Sequence, residues 1–188
     1  MADAVGFITM GGVFAANMTG NTVLAGIAAA EGAYALAGQR LAPLVTFFIG
    51  AMVARLLLRL VRKPQAPLLL EAAILAAVGF LPLDRDSAVL IVAAAMGLQA
   101  SALTHFGDSA VSTVVVTSTL ARIADATLDR VWPIARHHKP PPAATSRLLA
   151  ITWIGYLGGA MAGTALLAVI PWPLLVPAAL LVIVVTTL

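Results

Sequence analysis

An uncharged stretch near the amino terminus carries the side chains best suited to hold a solute. Residues 4–30 contain no charged residue, and residues 17–22 include two asparagines and two threonines around Gly20. Polar groups in hydrocarbon are costly unless other protein groups satisfy them. Glycine lets a helix break, and a broken helix leaves backbone N–H and C=O groups available to bind a solute. We therefore predict solute ligands at Asn17, Thr19, Gly20 and Asn21.

A second polar segment occupies the matching place about 100 residues later in the chain. Two polar helix breaks that face each other near the membrane midplane form the binding site of discontinuous-helix transporters. The alternative is that these side chains only hydrogen-bond neighbouring helices. The predicted ligands in this half are Gln99, Thr113, Thr117, Ser118 and Thr119.

Two carboxylic acids near membrane depth are candidates for coupling transport to a proton. Ionisable groups inside membrane helices are rare and usually functional. Asp3 lies beside the first polar break and is the better candidate, with an ordinary helix-end residue as the alternative. Glu71 is the second candidate, although we expect it to pair with Arg62 or Lys63.

The composition indicates a membrane protein. Hydrophobic residues make up 61% of the 188 residues and charged residues 10%, and the mean hydropathy is +1.02. Soluble domains average about 25% charged residues, and a soluble domain with this composition would expose large apolar patches. The formal net charge of +3 comes from basic residues between apolar segments. Membrane topology explains that charge better than a nucleic-acid partner does.

Apolar segments of sufficient length predict about six transmembrane helices. A spanning helix needs about 20 mainly apolar residues. The segments 17–31 and 111–131 are predicted broken or re-entrant elements, and residues 133–147 form a solvated linker that prolines keep out of helix. The predicted spans are 1–16 (incomplete), 41–60, 67–83, 87–106, 148–169 and 171–188.

The basic residues orient the predicted bundle, because lysine and arginine concentrate in cytoplasmic loops. Nine of the 11 basic residues fall within 55–63 and 122–147, whereas Arg40 and Arg85 do not. The span 41–60 is therefore expected to run from outside to inside, with the 133–147 linker in the cytoplasm. The span 148–169 is expected to run the opposite way.

Short sequence matches indicate a duplication. Residues 67–75 (PLLLEAAIL) match residues 173–181 (PLLVPAALL) at six of nine positions. Asp3 corresponds to Gln99, and Gly50 to Gly155, in the same order along the chain. Matches in one order at a similar spacing are typical of the repeats from which transporters are built.

The predicted fold is an all-α polytopic membrane protein with about six transmembrane helices. Two inverted three-helix repeats, 1–83 and 84–188, form a single membrane domain, and each contains a broken or re-entrant polar element. Glycines in small-xxx-small steps favour close helix packing. A face formed by Gly155, Gly159 and Gly163 therefore offers a surface for a homo-oligomer.

Four segments, in order along the chain, resemble one known family. They are 11–22 (GGVFAANMTGNT), 96–99 (MGLQ), 111–120 (VSTVVVTSTL) and 155–159 (GYLGG). They resemble the YoaK family of bacterial inner-membrane proteins, a domain of unknown function. The resemblance covers nearly the whole chain and implies a multi-pass protein of the bacterial cytoplasmic (inner) membrane. Family members usually carry more residues before Asp3 and a glycine at the position of Ser118.

The leading functional hypothesis is a small-solute transporter or permease with a polar site between the repeats. A passive channel and a non-transporting membrane scaffold or assembly protein are the alternatives. The sequence contains no phosphate loop, nucleophile elbow or paired catalytic carboxylates, so we expect neither enzyme activity nor a cofactor. We also expect no metal site, since His137 and His138 lack partners at ligand spacing. The expected partners are the lipid bilayer and an unidentified small solute.

Overall fold

The computed structural model describes residues 1–63, 65–103 and 143–187, together with the pairs 120–121, 123–124 and 127–128. The predicted ligands Thr113, Thr117, Ser118 and Thr119, and linker residues 133–142, lie outside the described residues. The part of the chain that is described contains helices and turns but no strand. Its helices are α1 (Ala2–Thr9), α2 (Met18–Ala30), α3 (Tyr34–Val61), α4 (Gln65–Phe80), α5 (Arg85–Leu103), α6 (Ala143–Leu167) and α7 (Leu175–Thr187).

Three helices are long and apolar enough to cross a membrane: α3, α5 and the Ala150–Leu167 part of α6. The helices α2, α4 and α7 are apolar but shorter. Apolar side chains also cover the outside of the bundle, where Phe48 is 64% and Met161 66% exposed. An apolar surface of this extent needs lipid around it rather than water, so the chain is a helical membrane protein.

The amino-terminal segment is a short helix followed by an extended return, so only Ala2–Thr9 of the predicted incomplete span 1–16 is helical. Helix α1 ends at Thr9, and Gly11 and Gly12 then adopt φ angles of 77° and 69°. This left-handed backbone suits glycine, which has no Cβ to clash, and it turns the chain back along α1. Residues 13–17 are not helical, and α2 begins at Met18. The break therefore precedes Asn17.

Short turns gather at one end of the bundle, which we call the first face. Arg40 donates a hydrogen bond to the carbonyl oxygen of Gly12 and so ties the start of α3 to the glycine turn. Thr9, Leu83 and Trp172 line one small cavity at this end. The turns of the first face are 10–13, 31–33, 81–84 and 168–174.

The opposite end of the bundle is the second face. Leu68, Ala102 and Val185 pack together there, so α4 begins and α5 and α7 end at this level. Helix α3 ends at the second face too, because only residues 62–64 separate it from α4. Consequently α3 and α5 run in the same direction, from the first face to the second, whereas α4 runs from the second face to the first.

Helices α3 and α5 cross at two glycines. A Cβ at Gly50 would overlap the carbonyl oxygen of Ala94, and a Cβ at Gly97 would overlap that of Phe47. Small residues permit this close approach of helix backbones in membranes. The crossing is a fixed point of the bundle, because neither backbone can yield to an added methyl group without moving a whole helix.

Helices α4 and α7 pack antiparallel to each other. Gly79 lies near Leu174 and Leu175 at the first face, while Leu68 belongs to the same cluster as Val185 at the second face. The matching sequences 67–75 and 173–181 fall in and just before these two helices, which contact each other. Between them and α5 lies the main apolar core, which includes Leu75.

Helix α1 packs against α6 and α5. Added Cβ atoms at Gly159 and Gly163 would meet Met1, whereas one at Gly155 would meet no described atom within 4 Å. These glycines lie at mid-length of α6, so α1 begins halfway through the bundle and runs to the first face. Two of the three glycines predicted to form an oligomer surface are therefore covered by α1 of the same chain.

Candidate functional site

The start of α2 forms one side of the candidate site. Asn17 is the N-cap residue of α2, and its side-chain oxygen accepts a hydrogen bond of 3.0 Å from the backbone N–H of Gly20. Such a cap satisfies one of the N–H groups that a helix leaves open at its first turn. A Cβ at Gly20 would lie 2.9 Å from Nδ2 of Asn17 and 3.1 Å from the ring of Phe14. Gly20 therefore provides room for the cap.

Asn21 holds the extended return in place. Its side chain is fully buried, and its Oδ1 accepts a hydrogen bond of 2.9 Å from the backbone N–H of Phe14. Its Nδ2 donates one of 2.7 Å to the carbonyl oxygen of the same residue. One amide side chain thus replaces the two backbone hydrogen bonds that a neighbouring strand would supply. Asn21 is not in the wall of the cavity described below.

Asp3 joins the return to two helices. Its Oδ1 accepts a hydrogen bond of 2.8 Å from the backbone N–H of Ala16, and its Oδ2 accepts one of 3.3 Å from the hydroxyl of Tyr156. Asp3 is only 9% exposed. Because Ala16 precedes Asn17 directly, Asp3 fixes the depth at which α2 begins, and that depth is the mid-length of α6.

A cavity of about 1290 Å³ opens in front of the α2 N-terminus. Its wall is mostly apolar and includes Leu75 and Met96. Sites for small molecules are typically concave and apolar with a few convergent polar groups, and this wall fits that description. The predicted site residues that it brings together are Asp3, Asn17, Thr19, Gly20, Glu71 and Gln99.

Glu71 enters the site from α4. Its side chain is fully buried, and neither carboxyl oxygen has a hydrogen-bond partner among the described residues. The expected ion pair with Arg62 or Lys63 was wrong, since both basic residues lie exposed at the second face, whereas Glu71 lies well inside α4. Of the two acids predicted to couple a proton, Asp3 has hydrogen-bond donors to both oxygens and Glu71 has none among the described residues, which makes Glu71 the stronger candidate.

Three aromatic residues that sequence reasoning passed over contribute to the site. Tyr156 lines the cavity and donates to Asp3, and its position within an uncharged span was the available signal. Phe14 stacks on Phe7 with 4.4 Å between ring centroids, and both rings lie in the wall. Nothing in the residue spacing signals that stacking, because it depends on the return at Gly11 and Gly12.

Comparisons with known proteins relate the chain to a transmembrane protein and to one family. The family model for proteins of unknown function DUF1275 matches residues 1–187. The UPF0700 transmembrane protein YoaK of Bacillus subtilis (strain 168) is 30% identical over 136 residues, which cover 66% of this chain and 60% of that protein. The match thus spans about three fifths of the relative's length, and no solved structure matches the chain. Because the family model covers nearly every residue, the chain belongs to the DUF1275 family, whose function is unknown.

Proposed function

We propose that this protein is a small-solute transporter, or permease, of the bacterial cytoplasmic (inner) membrane. The observation that carries the proposal is the cavity at mid-length of the bundle. There the capped start of α2 meets Gln99 of α5 and the carboxyl group of Glu71, which has no hydrogen-bond partner among the described residues. Helices that begin inside a bundle and face a cavity are used by transporters to bind solutes near the membrane midplane.

Two inverted repeats, 1–83 and 84–188, are part of the proposal, and the helix contacts support it. Helix α1 of the first repeat packs against α6 of the second repeat. Its counterpart α5, in the second repeat, packs against α3 of the first repeat. The matching helices α4 and α7 run antiparallel in contact, as a two-fold axis in the membrane plane requires.

The glycine contacts sharpen the repeat alignment. Gly50 lies where α3 meets α5, and Gly159 lies where α6 meets α1. The sequence Gly-Ala-Met follows at both places, at 50–52 and 159–161. We therefore pair Gly50 with Gly159 rather than with Gly155.

The distribution of basic residues supports a multi-pass orientation with the second face in the cytoplasm. Arg62 and Lys63 lie in the turn at the second face, whereas Arg40 and Arg85 lie at the first face. Lysine and arginine are enriched on the cytoplasmic side of membrane proteins. Cysteine labelling in intact cells tests this orientation: residue 63 should be protected from a membrane-impermeant reagent and residue 85 should react.

The transport proposal is tested by untargeted measurement of metabolites in a deletion strain and its complemented derivatives. The wild-type gene should restore the level of at least one small solute on one side of the membrane. Gln99→Leu, which removes a polar group from the cavity wall, should abolish that restoration. Gln39→Leu is the matched control, since Gln39 is an exposed glutamine of α3 outside the wall.

Three outcomes separate the competing functions. Saturable flux with counterflow in proteoliposomes supports a carrier, because a carrier closes its site on one side at a time. Flux without saturation or counterflow indicates a passive channel. No solute difference between strains, with normal expression of the wild type, contradicts transport and leaves a scaffold or assembly role, including self-association through the surface near Gly155. We assign no enzymatic step and no cofactor to the cavity.

A further inference from the structure

Glu71 differs from the other acids whose surroundings are described. Asp3 accepts hydrogen bonds from Ala16 and Tyr156, and Asp84 accepts one from Ser87. Glu71 is fully buried with both oxygens unpartnered among the described residues, and it forms part of the cavity wall. A polar group in this situation destabilises the fold, so its retention calls for a functional reason.

A buried carboxyl group must be neutralised by a proton or by a cation. In the part of the chain that the structure describes, the charged and titratable groups around Glu71 do not supply that cation. Helix α7 contains no titratable residue, α5 contributes Gln99 to the wall, and no residue of α3 lines the cavity. Asp3 and Tyr156 are hydrogen-bonded to each other, and the amino group of Met1 interacts with Asp3. None of the described residues therefore supplies a counter-ion, which leaves a proton or a cationic solute to neutralise Glu71.

We propose that Glu71 binds the ammonium group of a small amphiphilic organic cation and releases a proton when it does so. This inference rests on the proposed transport function and names its substrate class. The exchange is balanced: a neutral carboxyl group and an ammonium ion give a carboxylate–ammonium pair and one proton, which passes to water. The carboxylate accepts the N–H bonds of the ammonium group, and no covalent bond of the solute changes.

The rest of the cavity wall explains why the cation is organic. Leu75, Met96 and Leu181 line it together with the stacked rings of Phe7 and Phe14. Apolar side chains bury a hydrocarbon body, and aromatic faces attract cations. A hard metal ion would instead need six or more oxygen ligands, which a mostly apolar wall does not offer. In the conformation described here Glu71 is closed to water, so a side-chain rotation must accompany binding.

The test measures binding, without transport, by calorimetry on the purified full chain in detergent. The probes are butylammonium, cyclohexylammonium and benzylammonium, each paired with its neutral alcohol. At least one ammonium ion should bind the wild type about ten-fold or more tightly than its alcohol, as a charge-assisted hydrogen bond predicts. The preference should disappear in Glu71→Gln and persist in Glu31→Gln, a matched change of an exposed acid at the first face.

Proton release supplies an independent readout on the wild type. Heats measured in two buffers of different ionisation enthalpy should show up to one proton released per ammonium bound, and none for the alcohols. Lowering the pH should weaken ammonium binding, because protons compete for the same oxygens, and leave alcohol binding unchanged. This pair of measurements needs no variant, so it stands even where Glu71→Gln fails to fold.

Several results would overturn the inference: no ammonium ion preferred over its alcohol, a preference that survives in Glu71→Gln, or binding without proton release. The thermal stability of Glu71→Gln is expected to equal or exceed that of the wild type, since the substitution removes a buried acid that nothing satisfies. Ammonium binding without flux in proteoliposomes would contradict transport and leave the cation site standing. Flux of another solute without ammonium binding would contradict only the substrate class.

Discussion

The α3–α5 crossing and the segment from α1 to α2 are held in place by different kinds of interaction. At the crossing, two glycines let helix backbones touch, and shape alone fixes the contact. In the amino-terminal segment, Asp3, Asn17 and Asn21 satisfy backbone groups that no helix or strand pairs. The first region tolerates no added atom, whereas the second depends on the identity of a few polar atoms.

This difference separates the closely packed part of the molecule from the part that we propose binds a solute. Packed backbones offer no hydrogen-bonding groups to a ligand, because each helix satisfies its own. Where side chains complete the backbone hydrogen bonding, N–H and C=O groups lie close to a cavity, and a solute can exchange with them. We expect variants of the two regions to fail in different ways.

The largest effect is expected at the crossing. Gly50→Ala and Gly97→Ala should each destabilise the fold by about 3 kcal/mol or more, since the added Cβ meets backbone that cannot move aside. The matched control is Gly155→Ala, whose Cβ would meet no described atom within 4 Å. Alanine forms helix better than glycine by about 1 kcal/mol, so this control should be neutral or more stable. Thermal unfolding in detergent measures these opposite changes in stability. Equal stability of all three variants would contradict the crossing.

The next effect is expected at Asn21. Asn21→Ala leaves the partly buried N–H and C=O of Phe14 without the amide that pairs them, at a cost of up to about 1–3 kcal/mol for each group. Asn21→Asp keeps the acceptor for the N–H, and its protonated carboxyl group can still donate to the C=O, at the cost of burying an acid. The thermal unfolding temperature should be highest for the wild type, lower for Asn21→Asp and lowest for Asn21→Ala. The control Thr22→Ala, which removes an exposed hydroxyl bonded to Met18, should remain close to the wild type.

A smaller effect on stability is expected at Asn17. Asn17→Ala removes the N-cap of α2 and should cost about 1 kcal/mol, while Asn17→Ser should restore most of it. Because Asn17 also lines the cavity, both variants should impair solute flux. Restored stability together with impaired flux would separate the capping role from solute binding. Wild-type flux in Asn17→Ala would exclude its side chain from the site.

The smallest effect is expected at Asp84, in the turn before α5. The backbone N–H of Ser87 donates a hydrogen bond to its carboxylate and holds the pKa of Asp84 below its ordinary value of 3.8. A carboxyl group whose pKa is lower in the folded state stabilises that state above the ordinary value, and the contribution is lost as the pH falls through the folded value. Between pH 6 and pH 3 the thermal unfolding temperature should therefore fall slightly more steeply for the wild type than for Asp84→Asn. Identical pH profiles of the two proteins would show that this hydrogen bond adds nothing to stability.

The membrane class and most helices could be predicted from the sequence because long apolar segments indicate membrane helices directly. Sequence reasoning also selected Asn17, Gly20 and Asn21 as special, since two amides around a glycine are costly in an uncharged stretch. It could not assign their separate tasks. Asn21 bonds to Phe14 only because Gly11 and Gly12 reverse the chain, and the sequence alone does not specify that reversal. The predicted ion pair of Glu71 was wrong for a related reason. Its distance along the chain to Lys63 is short, but helix α4 places its side chain in the interior.

The contact between Asp3 and Tyr156 joins residues 153 positions apart in the chain, and this separation has a consequence for biosynthesis. When the ribosome has made only the first five helices, α3 and α5 can already cross, but α1 has no α6 to pack against. Asp3 then faces the translocon or lipid without the tyrosine hydroxyl that later binds it. The contact between α1 and α6 therefore forms only after α6 has been translated. Until then α1 lacks its main packing partner, and the quality-control proteases of the membrane encounter an unfinished bundle.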